Sequence, residues 1–253
     1  MSVNRSKQSL ALDLKHPKGI DLIKQLVKKS DVVIENFVPG TTKALGIDYE
    51  SKFLRFSFSL NYFIYIRIAL KSENEKIIYA SITGFGSDGP RSKRRGYDVM
   101  ISALGGLMSI TGEPNGPPVK VGVALTDVIT GLWTQTAISS ALYSRNQSGK
   151  GCYIECSLLD AQISSLVNMA SAYLNANVVG KRWGTAHPSI VPYQAFSVKD
   201  GYIVLGANNN EQWERLCNVL EFPELINNPK YCNNSTRVKN RESLIEIIQS
   251  KLQ

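Results

Sequence analysis

The chain has 253 residues, 43% hydrophobic and 20% charged, which is enough apolar material for one substantial domain and part of a second. Its formal charge of +8 leaves two readings open, a solvated lysine-rich surface or a polyanionic partner such as a phosphate-bearing cofactor. A nucleic-acid partner is not expected, because the densest basic run, Arg91-Ser92-Lys93-Arg94-Arg95, has neither interleaved aromatics nor zinc spacing behind it.

In chain order, the opening MSVNRSKQSLALDLKHPKG has no apolar signal core. PKGIDLIKQLVKK starts on Pro17 and lines Ile20, Ile23, Leu26 and Val27 along one helical face. Residues 31–37, DVVIENF, read as a short apolar strand ended by Pro39-Gly40. Residues 53–70, FLRFSFSLNYFIYIRIAL, are long and apolar, but Arg55, Asn61 and Arg67 interrupt them. Arginine near mid-span is costly, so no membrane partner is expected and no fold is assigned there. Residues 76–82, KIIYASI, form a second strand that ends in the glycine-rich loop GFGSDGP. Helices follow at 98–110 and at 127–145, the second tolerating Gly131. Gly149-Lys150-Gly151 turns the chain into a strand, CYIECSL, and LDAQISSLVNMASAYL reads as the next helix.

This alternation predicts an α/β class, a Rossmann-like parallel sheet covered by helices. Ligands gather at the carboxyl ends of such strands, here Glu35-Asn36-Phe37 and Thr83-Gly84-Phe85-Gly86. After residue 188 the texture changes. SIVPYQAFSV and YIVLGA around Asp200-Gly201 predict a β-hairpin, and EQWERLCNVL a helix. The expected organisation is a large domain over 1–180, with 51–75 as an atypical insertion, then a partial, smaller α+β domain over 188–253. The cysteines at 152, 156, 217 and 232 make no CxxC pair and no motif with His16 and His187. Reduced thiols and no metal are expected, in a cytoplasmic or mitochondrial-matrix setting.

One stretch carries the chemistry. VGVALTDVITGLW holds a single acid, Asp127, among small and apolar residues where a helix begins. One reading is helix capping, with the side chain of Asp127 or Thr126 accepting from unpaired backbone N–H groups. Capping does not exclude chemistry, since an ionised carboxylate can act as a nucleophile with no general base. Other motifs are missing: there is no GxSxG, no P-loop and no HExxH, and Gly84-Phe85-Gly86 lacks the third glycine of a dinucleotide fingerprint.

NRSKQSLALDLKHPKG, DVVIENFVPGTTKALGIDYE, IIYASITGFGSDGP, GYD, VGVALTDVITGL, GKGCYIECSLLDA and DGYIVLGANN together resemble the family III CoA-transferases of CaiB/BaiF type, over residues 1–50 and 76–253. KRWGTAHPSIVPYQAF is similar to the succinate–hydroxymethylglutarate (glutarate) branch of that family. The resemblance implies that Asp127 is the nucleophile, that a coenzyme A thioester is a substrate, and that there is no prosthetic group. It places Asn36 and Phe37 beside the pantetheine and adenine of CoA, Lys7 near its phosphates, and Thr83 and Phe85 at its thiol end. It sets Tyr97, Arg182 and His187 toward an acyl-CoA and dicarboxylic acid pair, and implies an interlocked homodimer. Without it, Asn36 could cap a turn, Phe37 and His187 could be core, and Lys7 and Arg182 could be solvated.

Two alternatives stay beside this reading. The α-methylacyl-CoA racemases share the fold and carry a histidine base where Tyr97 stands, and a phenol is a poor base at neutral pH. The resemblance also implies family segments upstream of residues 2–5 and beyond the last residue. This chain alone is therefore expected to expose a sheet edge and apolar surface and to have little activity. On that view it is an inactive isoform or the dimer partner of a longer copy.

Overall fold

The structure, a computed structural model, describes residues 4–50 and 70–253; the apolar run at 53–69 lies outside them. The chain forms two compact units, Met1–Leu107 with Lys120–Val178, and Met108–Val119 with Val179–Gln253.

In the first unit, α1 (Pro17–Val27) begins on its proline, and the His16 imidazole caps it by accepting the Lys18 N–H at 3.2 Å. Then come β1 (Val32–Glu35), α2 (Thr41–Leu45), α3 (Leu70–Glu73) and β2 (Ile78–Thr83). They are followed by α4 (Asp98–Leu104), α5 (Leu125–Ser148), β3 (Tyr153–Ser157), α6 (Leu158–Ser164) and α7 (Val167–Ala176). The three strands form a parallel sheet in the order β1-β2-β3, with Glu35 opposite Ser81 and Thr83 opposite Ser157. β2 is central, and Ile78, Tyr79 and Ala80 are fully buried or nearly so. Tyr79 joins Val27, Ile47, Leu70 and Ile77 in one core cluster. Each large apolar side chain buried there contributes about 1.5–3 kcal/mol.

The longest helix is unusual in which face it buries. Thr126, Thr130 and Thr134 face inward at helical spacing. Their cost is met locally: the Thr130 hydroxyl donates to the Thr126 carbonyl at 2.7 Å, and Thr134 to that of Thr130 at 2.8 Å. Leu132, Trp133 and Tyr143 stay exposed on the same helix. In the last turn of α5, Arg145 ties the amino ends of β1 and β2 together. Its guanidinium donates to the carbonyls of Asp31 (3.3 Å) and Lys76 (3.1 Å) and pairs with the Asp31 carboxylate at 2.8 Å.

Several boundaries differ from the sequence reading. The strand expected over 31–37 is only four residues long, Val32–Glu35. The helix expected over 98–110 stops at Leu104, where Gly105 and Gly106 (φ 89°) turn the chain, and a 3-10 turn at Met108–Ile110 opens the segment that belongs to the second unit. The helix expected after β3 breaks into α6 and α7. There Ser164 and Ser165 donate back to the carbonyls of Ala161 (2.7 Å) and Gln162 (2.6 Å), competing with the helical ladder.

The second unit contains β4 (Tyr193–Val198) and β5 (Gly201–Gly206), an antiparallel hairpin, then α8 (Asn210–Val219), α9 (Asn234–Lys239) and α10 (Arg241–Leu252). Its core gathers Phe196, Trp213, Cys217, Leu244 and Ile248. Arg237 is fully buried there, donating to the carbonyls of Val191 (2.7 Å) and Tyr231 (3.1 Å) and lying 5.0 Å from the Trp213 ring. Among the described residues, no helix is long and apolar enough to cross a membrane.

Candidate active site

The carboxyl ends of β1 and β2 carry the residues singled out in the sequence. Beyond β1, the Phe37 N–H donates to the Glu35 carboxylate at 2.8 Å, so the chain turns at once and leaves Asn36 and Phe37 exposed. At the end of β2, Thr83 is buried and its hydroxyl accepts the Gly86 N–H at 2.8 Å, curling the glycine-rich loop and half-burying Phe85. Ser87 fastens that loop to β3. Its N–H and hydroxyl both donate to the Glu155 carboxylate, the hydroxyl at 2.7 Å.

Gly84 and Gly96 then pack backbone against backbone. A Cβ added at Gly84 would fall 2.5 Å from the Gly96 Cα, so no other residue fits without displacement. This contact brings Gly96-Tyr97-Asp98 to the β2 end. Tyr97 is exposed there, at the residue preceding α4. Asp98 reaches across to the start of α5, where one carboxylate oxygen accepts the N–H of Thr126 at 2.9 Å and of Asp127 at 3.3 Å. One helical turn on, the hydroxyls of Ser102 and Thr126 meet at 2.9 Å. Since Arg145 near the other end of α5 sits at the amino ends of the strands, α5 begins at their carboxyl ends.

The capping expected of Asp127 or Thr126 is therefore corrected. α5 starts at Leu125, the cap position is Ala124, and the accepting side chain is Asp98. The remaining N–H groups of the first turn are met as well, Leu125 by the Val123 carbonyl (2.9 Å) and Val128 by that of Ala124 (3.1 Å). The Asp127 carboxylate makes no hydrogen bond or ion pair with any described residue. Asp127 is exposed as a residue, yet desolvation of its carboxyl group, and then the nearby Asp98 charge, hold its pKa above the ordinary carboxylate value. A helix N-terminus would pull the other way, but here its N–H groups already point at Asp98.

Asn36, Phe37, Thr83, Phe85, Tyr97 and Asp127 thus share one end of the sheet. Lys7 lies in the exposed N-terminal segment, its ammonium donating to the Asn4 side chain at 3.2 Å. Arg182 and His187 belong to the second unit. Arg182 donates to the carbonyls of Ser109 (3.0 Å) and Glu113 (3.3 Å) beside a cleft of about 1110 Å³ that Trp183 and Arg241 also line. The His187 Nδ1 accepts the Ser189 N–H at 3.1 Å, and its ring stacks on Tyr193 at 5.5 Å. Among the described residues, no group of His, Cys, Asp and Glu is arranged to hold a metal ion.

Asp98 is the site residue that the sequence reading missed. Its bond to Thr126 spans 28 positions, and no local spacing announces it. The nearest available signal was its place in the Gly96-Tyr97-Asp98 segment, read there only for its tyrosine.

The model of CoA-transferase family III matches residues 1–55 and 67–253. A human succinyl-CoA:glutarate CoA-transferase is 47% identical over 253 residues, covering 100% of this chain and 54% of the human protein. A succinate–glutarate CoA-transferase from Agrobacterium fabrum is 39% identical over 250 residues, 99% of this chain and 58% of its own length. The crystal structure of a CAIB/BAIF family protein from Brucella suis superposes with a TM-score of 0.81 at 41% identity, covering 98% of this chain and 61% of that one. The chain spans about half the length of the curated relatives it matches.

Proposed function

The chain belongs to CoA-transferase family III, and from that premise we propose that it moves CoA from succinyl-CoA to a glutarate-like dicarboxylate, with Asp127 as the nucleophile. The observation that carries this reading is the Asp127 carboxylate, without a hydrogen-bond or ion-pair partner among the described residues, set at the start of α5 and at the carboxyl ends of a parallel sheet. Asp127 is exposed, and its carboxylate, with a pKa above the ordinary value, needs no general base to act as a nucleophile.

The reaction balances without ATP. A carboxylate oxygen attacks the thioester carbonyl, the C–S bond breaks, and CoA leaves as thiolate, giving a mixed anhydride. The thiolate attacks the aspartyl carbonyl of that anhydride, releasing the donor acid and leaving an aspartyl-CoA thioester. The acceptor carboxylate attacks this thioester and expels the thiolate again, forming a second anhydride. The thiolate finally attacks the acceptor's acyl carbon, restoring the Asp127 carboxylate. One thioester is present before and after, so its energy is conserved. In this reading backbone N–H groups stabilise the tetrahedral oxyanions, but not those of Gly86 and Ser87, which already donate to Thr83 and Glu155.

In this reading Asn36 and Phe37 contact CoA, Lys7 meets its phosphates, and Thr83 and Phe85 border the thiol. Tyr97, Arg182 and His187 serve the acid substrate, the guanidinium suiting a distal carboxylate. The names of the human and Agrobacterium relatives support the choice of succinate and glutarate. The exposed Leu132 and Trp133 of α5 and Leu174 of α7 support a partner face, for which a second copy is the proposed occupant. The four cysteines are unpaired, which suits the mitochondrial matrix or the cytoplasm. Asp127→Ala tests the proposal: it abolishes transfer while CoA affinity holds. Transfer surviving in that variant would end the nucleophile assignment.

A further inference from the structure

We propose that Asp98 is a positioning residue: by capping α5 from a neighbouring helix, it leaves the Asp127 carboxylate available for reaction. This inference rests on the nucleophile reading above and names a second residue on which that reading depends.

A helix N-terminus makes a demand on its surroundings. Its first N–H groups have no intrahelical acceptor, and an acidic side chain in the first turn is the nearest candidate to satisfy them. Asp127 is the acid in the first turn of α5. Left to itself, its carboxylate would bend back onto the backbone, where hydrogen bonds would orient it away from a substrate and blunt its basicity. Asp98 prevents this by taking both the Thr126 and the Asp127 N–H with one oxygen. The bond between Ser102 and Thr126 keeps the two helices in register one turn further on.

The same geometry has an electrostatic consequence. Asp98, from α4, is the charged group among the described residues that acts on Asp127, and as a like charge it disfavours the ionised form of its neighbour. Asp98 thus frees the nucleophile and makes it more basic at once.

Two substitutions separate these effects. Asn caps a helix as well as Asp does, so Asp98→Asn keeps both hydrogen bonds and removes the charge. Asp98→Ala removes both. Carbon-13 NMR titration of the Asp127 carboxyl, read on the folded chain without turnover, is expected to move to lower pH in Asp98→Asn. Acylation of Asp127 by succinyl-CoA, read by mass spectrometry, is expected to fall by about tenfold to a hundredfold in Asp98→Ala, the range that loss of orientation produces. Asp98→Asn is expected to keep most of that acylation at neutral pH and to shift its acidic limb downward. An Asp127 titration identical in the wild type and Asp98→Asn would overturn the inference. So would Asp98→Ala acylated at the wild-type rate, and should that variant not fold, the Asp98→Asn titration still decides. No acyl label on Asp127 in the wild type, with the titration shift intact, would instead remove the nucleophile reading and leave the carboxylate pair standing.

Discussion

Replacing Gly84 by alanine tests whether the backbone contact between the β2 end and the Gly96-Tyr97-Asp98 segment places the candidate nucleophile. The added methyl would lie 2.5 Å from the Gly96 Cα and 2.6 Å from its nitrogen, both backbone atoms that no rotamer change can move aside. Ordinary carbon contacts fall near ~3.5–4.0 Å, so the two segments must part by about 1 Å. Overpacking of this kind costs about 1–3 kcal/mol. For a chain of this size each kcal/mol lowers Tm by about 2–4 °C. The shift carries Asp98 away from α5, and a displacement near 1 Å at a reacting group costs about a hundredfold in rate. Thermal unfolding followed by circular dichroism reads the first effect, and the rate of Asp127 acylation by succinyl-CoA reads the second. Gly122→Ala is the control, because a methyl there meets nothing within 4 Å. The reasoning fails if Gly84→Ala melts and acylates like the wild type, or if Gly122→Ala suffers as much.

Two further outcomes follow from the charges. Because its folded pKa is raised, Asp127 favours the folded state when protonated, a contribution fully present below the ordinary carboxylate value and lost as pH rises through the folded one. Asp127→Asn should therefore be the more stable protein at pH 7, by less than about 1 kcal/mol because solvent screens an exposed pair, and should lose that advantage in acid. Urea unfolding across pH checks the sign, and a variant less stable at neutral pH would contradict it. Arg145→Ala removes the bonds that hold the amino ends of β1 and β2, and a loss of about 2 kcal/mol is expected in urea unfolding. A loss indistinguishable from zero would show that the clamp is not holding the sheet.

The parallel sheet was legible because DVVIENF, KIIYASI and CYIECSL are short apolar runs separated by helical patterns and glycine turns, and the hairpin because Asp200-Gly201 sits between two β-rich runs. Local pattern did not reach what tertiary contacts decide. Asp98 and Thr126 are joined through the fold, so a capping rule applied within the sequence picked the side chains of the α5 start instead. The break between α6 and α7 comes from serines that bond backward, although they occur in a periodic apolar pattern. Arg182 was visible as a cation suited to a carboxylate. That its guanidinium also holds the 108–119 segment depends on a contact spanning 69 positions or more. Thr126, Thr130 and Thr134 carry a related lesson, since the fully buried side chains of α5 are polar while Leu132, Trp133 and Tyr143 of the same helix stay exposed.

The central claim is that Asp127 itself becomes acylated and then carries CoA. Quenching the protein during incubation with succinyl-CoA and mapping its peptides by mass spectrometry tests this most directly. The account predicts a CoA thioester on the peptide containing Asp127, absent from Asp127→Asn. A label on another carboxylate, such as Asp98 or Glu155, or transfer that proceeds with no enzyme-bound CoA, would contradict it.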